Sequence, residues 1–492
     1  MHGNCRLVTL VTIAFVAFVF VGPSEQTAKA DVPPYAWIVS RADTNNDTGL
    51  STSLVLDPND EPYISYLDQT NGIIRVAHRV AGVWSSEPIA FVGSEEGDTG
   101  IAIGRNGAVY VSFVRGDPPT VEMATRMSSN WSVARVDAGY SEGYASLTLD
   151  SMGNPVIAYT GSNGWLRYAA WNGSSWRLET VDAMSVISRY TDVAIDPAGG
   201  PHISYYADGV LRYASKGVGI WNIETVDSSP YSGWYSRLDF DQTGDPHIAY
   251  YDSVNLSLKH AERVAGTWST ETIDNRGDAG WDPSLVIDRL NRVHIAYYAR
   301  LSGELRYAIR TPAGWIRETI DRDGVVGWRT AIAVNGQGLP RISYYDWTNG
   351  DLKYAEGAIA LSVRTLLPTG STTTSATIQG ELVSLGNYSS VETRFAYRPA
   401  GSNEWNYSPA AIKSDAGSFA ATLTNLTTGQ RYEYRAEAES GNETANGETR
   451  EFTLRIQSGP APPYILFLGL GGAVGTAAGV TTWLAVRRKH RK

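Results

Sequence analysis

The sequence predicts an all-β chain: a seven-bladed β-propeller closed by its own N-terminal strand, a smaller β-sandwich, and one transmembrane helix. Three observations carry that prediction. A four-strand unit repeats along the middle of the chain. Its last copy lacks one strand, which the N-terminus supplies. The chain then ends on an uncharged stretch followed by a basic tail.

The repeat comes first. One unit runs from Ser146 to Asp182, and the ends of its first strand recur at Asp57, Gly104, Asp150, Asp196, Asp241, Asp288 and Asn335, in steps of 45 to 47 residues. The second strand is typified by Pro201–Tyr206, the third by Leu211–Ala214 and the fourth by Trp176–Asp182. Glycine-containing turns separate them, and proline at the start of a second strand costs no ladder bond. Four short strands in such a repeat make one propeller blade, which must stack on its neighbours to bury both faces. The pairs Tyr205-Tyr206, Tyr250-Tyr251, Tyr297-Tyr298 and Tyr344-Tyr345 therefore read as inter-blade packing. The composition agrees: 28 Tyr, 15 Trp and 49 Gly in 492 residues favour strands and tight turns.

Closure comes second. After Leu352–Ala355 no tryptophan strand follows, whereas Trp37–Asp43 stands before the first unit. Trp37, Trp84, Trp131, Trp176, Trp221, Trp268 and Trp315 are again 45 to 47 residues apart. Trp37–Asp43 is expected to pair with Leu352–Ala355 and so remove two exposed sheet edges. On these motifs, residues 36–356 resemble bacterial and archaeal surface propellers with Pro-His-Ile-Ser-Tyr-Tyr-Asp repeats, loosely similar to sialidase-like and lectin-like propellers. The resemblance implies the fold and no catalytic residue, because the sialidase Asp-box is absent.

Residues 358–456 change character, with more Thr, Ser, Ala and Glu. The stretch Leu423–Ala436 resembles the corner of fibronectin type III domains, where a tyrosine hydroxyl bonds back to the backbone; Tyr432 fits that place. Residues 457–463 form a stiff Pro-containing linker.

The two ends are read as export and anchoring signals. Residues 1–30 form a signal peptide: Arg6, an apolar core from Leu7 to Val21, and Ala28-Lys29-Ala30 before the cut. Cys5 is the single cysteine, so the mature chain has no thiol, and a prokaryotic envelope is the favoured setting. Residues 464–486 are long enough to span a bilayer, and the basic tail 487–492 places them with the tail inside and the rest outside. Gly471, Gly475 and Gly479 recur at the spacing of small-residue helix dimers, the basis for an expected homodimer. Residues 31–463 hold 50 Asp+Glu against 34 Lys+Arg, which excludes nucleic acid as a partner.

Candidate chemistry is sparse. His202, His247 and His294 occupy one repeat position in three blades, too far apart to share a metal ion. Asp43–Gly49 alternates oxygen side chains as calcium loops do, and fits an inter-blade turn equally. Paired carboxylates cannot be singled out, and no cofactor is implied. The loops leading into the first strands are more suggestive. Trp234, Trp281 and Trp328 are equivalent there, with Tyr235 and Asp282 beside them and Tyr144 and Tyr190 at the Tyr235 position. All belong to one face, around the mouth of the channel. Aromatic rings beside carboxylates suit sugars or peptides; rings that plug the gaps between blades fit the same pattern. Asp278, Asp282 and Asp323 are expected to favour hydroxyl-rich or cationic ligands. The reading is a membrane-anchored surface recognition or adhesion protein binding an extracellular glycan or protein. The alternatives are a surface glycan hydrolase or lyase and a purely structural envelope protein.

Overall fold

The computed structural model describes residues 35–93, 98–116, 118–138, 145–185, 188–386, 388–441 and 443–454. The expected signal peptide, linker, membrane helix and tail lie outside them, as do Tyr144, Gly471, Gly475 and Gly479. Among the described residues no helix is long and apolar enough to cross a membrane.

Seven four-stranded antiparallel sheets follow one another along the first unit. Blade one holds Thr48–Leu56, Pro62–Asp68, Ile73–Val80 and Val83–Phe91; blade seven holds Val326–Val334, Pro340–Asp346, Asp351–Ile359 and the N-terminal strand Tyr35–Asp43. That N-terminal strand pairs as expected: Val39 opposes Ala355 and Ser40 opposes Tyr354. It runs on to Tyr35 opposite Ile359, so the last sheet extends past the expected boundary at 356. The first strand of every blade touches the first strands of both flanking blades, and blade seven touches blade one. The sheets therefore close into a ring, a β-propeller.

Why these blades stack is visible in two repeated contacts. Each fourth-strand tryptophan packs on the third strand of the preceding blade, as Trp268 does edge-on against Tyr213 with ring centroids 5.1 Å apart. In three seams the indole N–H also donates to the preceding blade's fourth-strand glutamate, from Trp37 to Glu318 at 2.9 Å, Trp221 to Glu179 at 3.1 Å and Trp268 to Glu224 at 3.0 Å.

The second contact joins three side chains. The first tyrosine of each pair, and the single tyrosine at its position in blades one and three, donates its hydroxyl to the aspartate that ends the preceding blade's fourth strand. This occurs from Tyr66 to Asp43, Tyr159 to Asp137, Tyr205 to Asp182, Tyr250 to Asp227, Tyr297 to Asp274 and Tyr344 to Asp321, at 2.5–2.9 Å. A third-strand cation completes each set, from Lys259 and Lys353 at 2.5 Å to Arg75 and Arg212 at 3.8 Å. Blade two replaces all three members. Phe113 stands for the tyrosine, Ala90 for the aspartate and Glu122 for the cation, and Glu122 pairs with Arg115 at 2.6 Å. A buried ion pair loses its purpose when one partner goes, so the three positions have to change together.

The second unit comprises, among the described residues, Val363–Leu382 and those from Ser390 to Leu454. One of its sheets is built on Ala376–Leu385 and Gly417–Leu423, the other on Val391–Pro399 and Arg431–Ser440. Phe395 and Phe419 meet across them at 5.0 Å. The Tyr432 hydroxyl accepts the Thr427 N–H at 3.0 Å, the backbone bond expected at that corner.

Candidate functional site

The strands of a blade alternate in direction, so the loops leading into first strands and those joining second to third strands share one face. On that face the loops into blades one, five, six and seven cross the third strand of the preceding blade. The crossing needs glycine. At Gly280, φ is +105° and an added Cβ would lie 2.6 Å from Leu258 Cα; Gly49, Gly233 and Gly327 meet Leu352, Leu211 and Leu305 in the same way.

Two residues past each of these glycines the chain is again left-handed, now without glycine's freedom. Ser51, Tyr235, Asp282 and Arg329 have φ between +44° and +56°, and Tyr190 shares the conformation at the equivalent position of blade four. Such backbone is costly for residues with a Cβ and is held only when its surroundings over-determine it. Here the surroundings are hydroxyls. Thr52 donates to the Arg329 carbonyl at 2.8 Å, Thr99 to Ser51 at 2.7 Å, Ser236 to Tyr190 at 2.9 Å and Thr330 to Asp282 at 2.6 Å.

The side chains so placed form the channel mouth. Tyr190 and Tyr235 make one side, with ring centroids 4.4 Å apart. Asp98, Asp282 and Arg329 make another, with the Arg329 guanidinium 3.7 Å from each carboxylate. Below lies a cavity of about 250 Å³, lined by serine and threonine residues together with Asp192 and Arg237.

The three expected tryptophans sit on this face but are wedged into the seams between blades. Trp234 lies 6.2 Å from Tyr206 and 6.4 Å from Tyr251, and Trp328 lies 5.8 Å from Tyr298. Trp281 packs 5.2 Å from Tyr251, donates to Asp278 at 3.0 Å and carries the Arg300 guanidinium over its ring at 5.0 Å. Burial pushes the Asp278 carboxyl up, but Tyr251 and Arg300 outweigh it and hold the group below its ordinary range. With Asp278 countered by Arg300 and Asp282 by Arg329, the local negative field expected from these acids is largely offset.

Sequence reasoning missed the ring best placed to meet a ligand. Trp347, in the loop between the second and third strands of blade seven, is 55% exposed and packs tilted against Trp328 with ring centroids 4.9 Å apart. Tyr231 and Trp165, 58% and 37% exposed, lie on the same face. No repeat pattern marks Trp347, because that loop varies from blade to blade.

The other candidates have structural partners. His202 lies 3.1 Å from Asp196 and 2.6 Å from Tyr213, His294 lies 3.2 Å from Asp288, and His247 lies 3.0 Å from His260. In the Asp43–Gly49 loop, Asp43 accepts from Asn45 and Tyr66, and Asp47 accepts from Tyr345 at 2.6 Å. Among the described residues no group of three or more His, Cys, Asp or Glu is arranged to hold a metal ion.

Fold and mouth together define a propeller with a polar axial cavity. No family model matches the chain, and no curated protein does. Among solved structures it is similar to an ulvan lyase, at 11% identity and a TM-score of 0.50 over 65% of this chain and 96% of the other. It is also similar to the Aleuria aurantia lectin in complex with Fucα1-6GlcNAc, at 17% identity and a TM-score of 0.44 over 58% and 100%. AofleA from Arthrobotrys oligospora is 13% identical at a TM-score of 0.40 over 58% and 90%. At these identities the likeness shows the fold alone.

Proposed function

We propose that this chain is a membrane-anchored surface recognition protein whose propeller binds a glycan on the face carrying the channel mouth. One observation carries the reading: non-glycine residues at equivalent positions of five blades are held at positive φ, and they surround a polar cavity. Ring closure alone does not require tyrosine, aspartate and arginine there, since asparagine or glycine adopts that backbone at less cost. Tyr190, Tyr235 and Asp282 furnish the mouth, with Tyr144 expected at the equivalent place in blade three. Trp234, Trp281 and Trp328 form the walls behind it, and Trp347 offers an open stacking face. Sugars suit such a surface because an aromatic ring covers a C–H face while polar groups fix the hydroxyls.

The fibronectin type III-like unit, the linker and the anchor at 464–486 follow in chain order and tether the propeller to the cell surface. The test is a glycan array probed with the purified protein, with each hit then assayed for turnover. Binding without turnover supports the reading. Turnover would make the protein a surface hydrolase or lyase, and a silent array would leave a structural envelope role.

A further inference from the structure

The channel below the mouth has a chemistry of its own. At one level of the first strands, equivalent positions hold Ser53, Ser146, Asp192, Arg237 and Ser284, in register opposite Ser65, Ala158, Ser204, Ala249 and Ala296. Blades two and seven contribute only Gly100 and Ala331 at this level, which leaves space on the axis.

First strands are sheet edges, and this ring satisfies some of their N–H groups from the neighbouring blade. Ser53 Oγ accepts the Ile101 N–H at 3.3 Å and Ser284 Oγ accepts the Ile332 N–H at 3.0 Å. Asp192 accepts the Leu238 N–H at 2.8 Å and the Ser146 hydroxyl at 2.7 Å. After these bonds the balance is uneven. Ser53 and Ser284 have used their oxygens as acceptors and keep a hydroxyl proton each. The Arg237 guanidinium donates to the Ser236 carbonyl at 3.1 Å, and among the described residues no carboxylate lies within 4 Å of it. Asp192 is engaged by its own bonds and acts on Arg237 only through space. Arg329, the other cation lining the cavity, already stands between Asp98 and Asp282.

The cavity thus presents surplus donors and one cation without a contact counter-ion. At about 250 Å³ it is smaller than the roughly 300–1,000 Å³ of sites that bury drug-sized ligands, so it suits one small unit. We propose that the axial channel seats a single anionic sugar unit, with Arg237 taking its carboxylate or sulfate and Ser53 and Ser284 donating to its oxygens. Planar, two-pronged recognition of such groups is what a guanidinium provides. The proposal rests on the glycan reading and names the unit that enters the channel.

The test compares glucose, glucuronate and glucose 6-sulfate, with acetate and inorganic sulfate as free anions, by calorimetric titration of the full-length protein. The expected result is at least tenfold tighter binding of one or both anionic sugars than of glucose. Arg237→Gln removes that advantage at an unchanged melting temperature, and Arg237→Lys keeps part of it. Which of glucuronate and glucose 6-sulfate binds tighter identifies the anionic group. Equal binding of all three sugars, or selectivity that survives Arg237→Gln, overturns the channel site and leaves array binding untouched. Free anions binding as tightly as the sugars overturn it as well, showing an adventitious ion only. A silent array defeats the glycan reading itself.

Discussion

Removing Asp227 tests the inter-blade triads. Its carboxylate accepts from Lys259 at 2.5 Å, Tyr250 at 2.8 Å, the Ser229 N–H at 2.9 Å and Ser232 at 3.1 Å. Burial pushes its pKa up, but Lys259, Ser229 and Tyr250 outweigh that and hold the carboxyl far below its usual range. The Lys259 and Asp227 side chains are only 12% and 7% exposed. Asp227→Ala strands an ammonium and a phenol between two blades, and breaking such a pair costs about 3–5 kcal/mol. Asp252, 3.9 Å from Lys259, keeps the loss near the lower end. Blade two shows the remedy, since it dispenses with the whole set. Asp227→Ala combined with Tyr250→Phe and Lys259→Met should recover about half or more of that loss, because the stranded ammonium and phenol are gone and only the Ser229 N–H and the Ser232 hydroxyl lack their acceptor. Urea denaturation followed by tryptophan fluorescence reads both. A single variant that loses under about 1 kcal/mol, or a triple variant no better than the single, refutes the triad as an inter-blade lock.

Other consequences follow from the same contacts. Gly280→Ala meets Leu258 backbone, whereas Gly266→Ala, at φ +82°, meets nothing within 4 Å; the first should cost about 2 kcal/mol or more and the second clearly less, read by thermal melting. Burial, and then the nearby His260, hold the His247 pKa down to about 4 from 6.5, so the fold prefers neutral His247. Its contribution is complete above about pH 6.5 and is lost as pH falls towards 4, so His247→Gln should gain melting temperature relative to the parent across that window. Deleting residues 31–45 strips the outer strand from blade seven; limited proteolysis should then cut that blade first, and resistance equal to the parent's would argue against closure by this strand.

The ring was legible because each blade repeats its apolar positions, and because the missing strand at one end matches a surplus strand at the other. Trp37 betrays closure by its spacing alone. The triads were legible in principle, since tyrosine follows aspartate by 22 or 23 residues in six units and blade two changes Ala90, Phe113 and Glu122 together. Seeing them requires knowing that the partners sit in different blades. The openness of the tryptophans was not legible. Whether Trp234 is free or wedged depends on Tyr206 and Tyr251, which reach it from two blades. Trp347 and the ring of Ser53, Arg237 and Ser284 escaped notice for a simpler reason. Trp347 has no tryptophan at its place in other blades, and the channel level changes from Ser to Asp, Arg, Gly or Ala around the ring, so repetition, which revealed the scaffold, conceals the site.

The most direct test of the central claim is calorimetric binding of an array-selected glycan to three single variants. Tyr235→Ala and Trp347→Ala lie on the mouth face, and Ile220→Ala, 73% exposed, lies in a turn on the opposite face. Loss of one stacking ring is worth on the order of 1 kcal/mol. The account predicts several-fold weaker binding for Trp347→Ala and Tyr235→Ala, with Trp347→Ala melting as the parent does and Ile220→Ala binding as the parent does. Unchanged binding by both mouth variants, or a loss confined to Ile220→Ala, would contradict it.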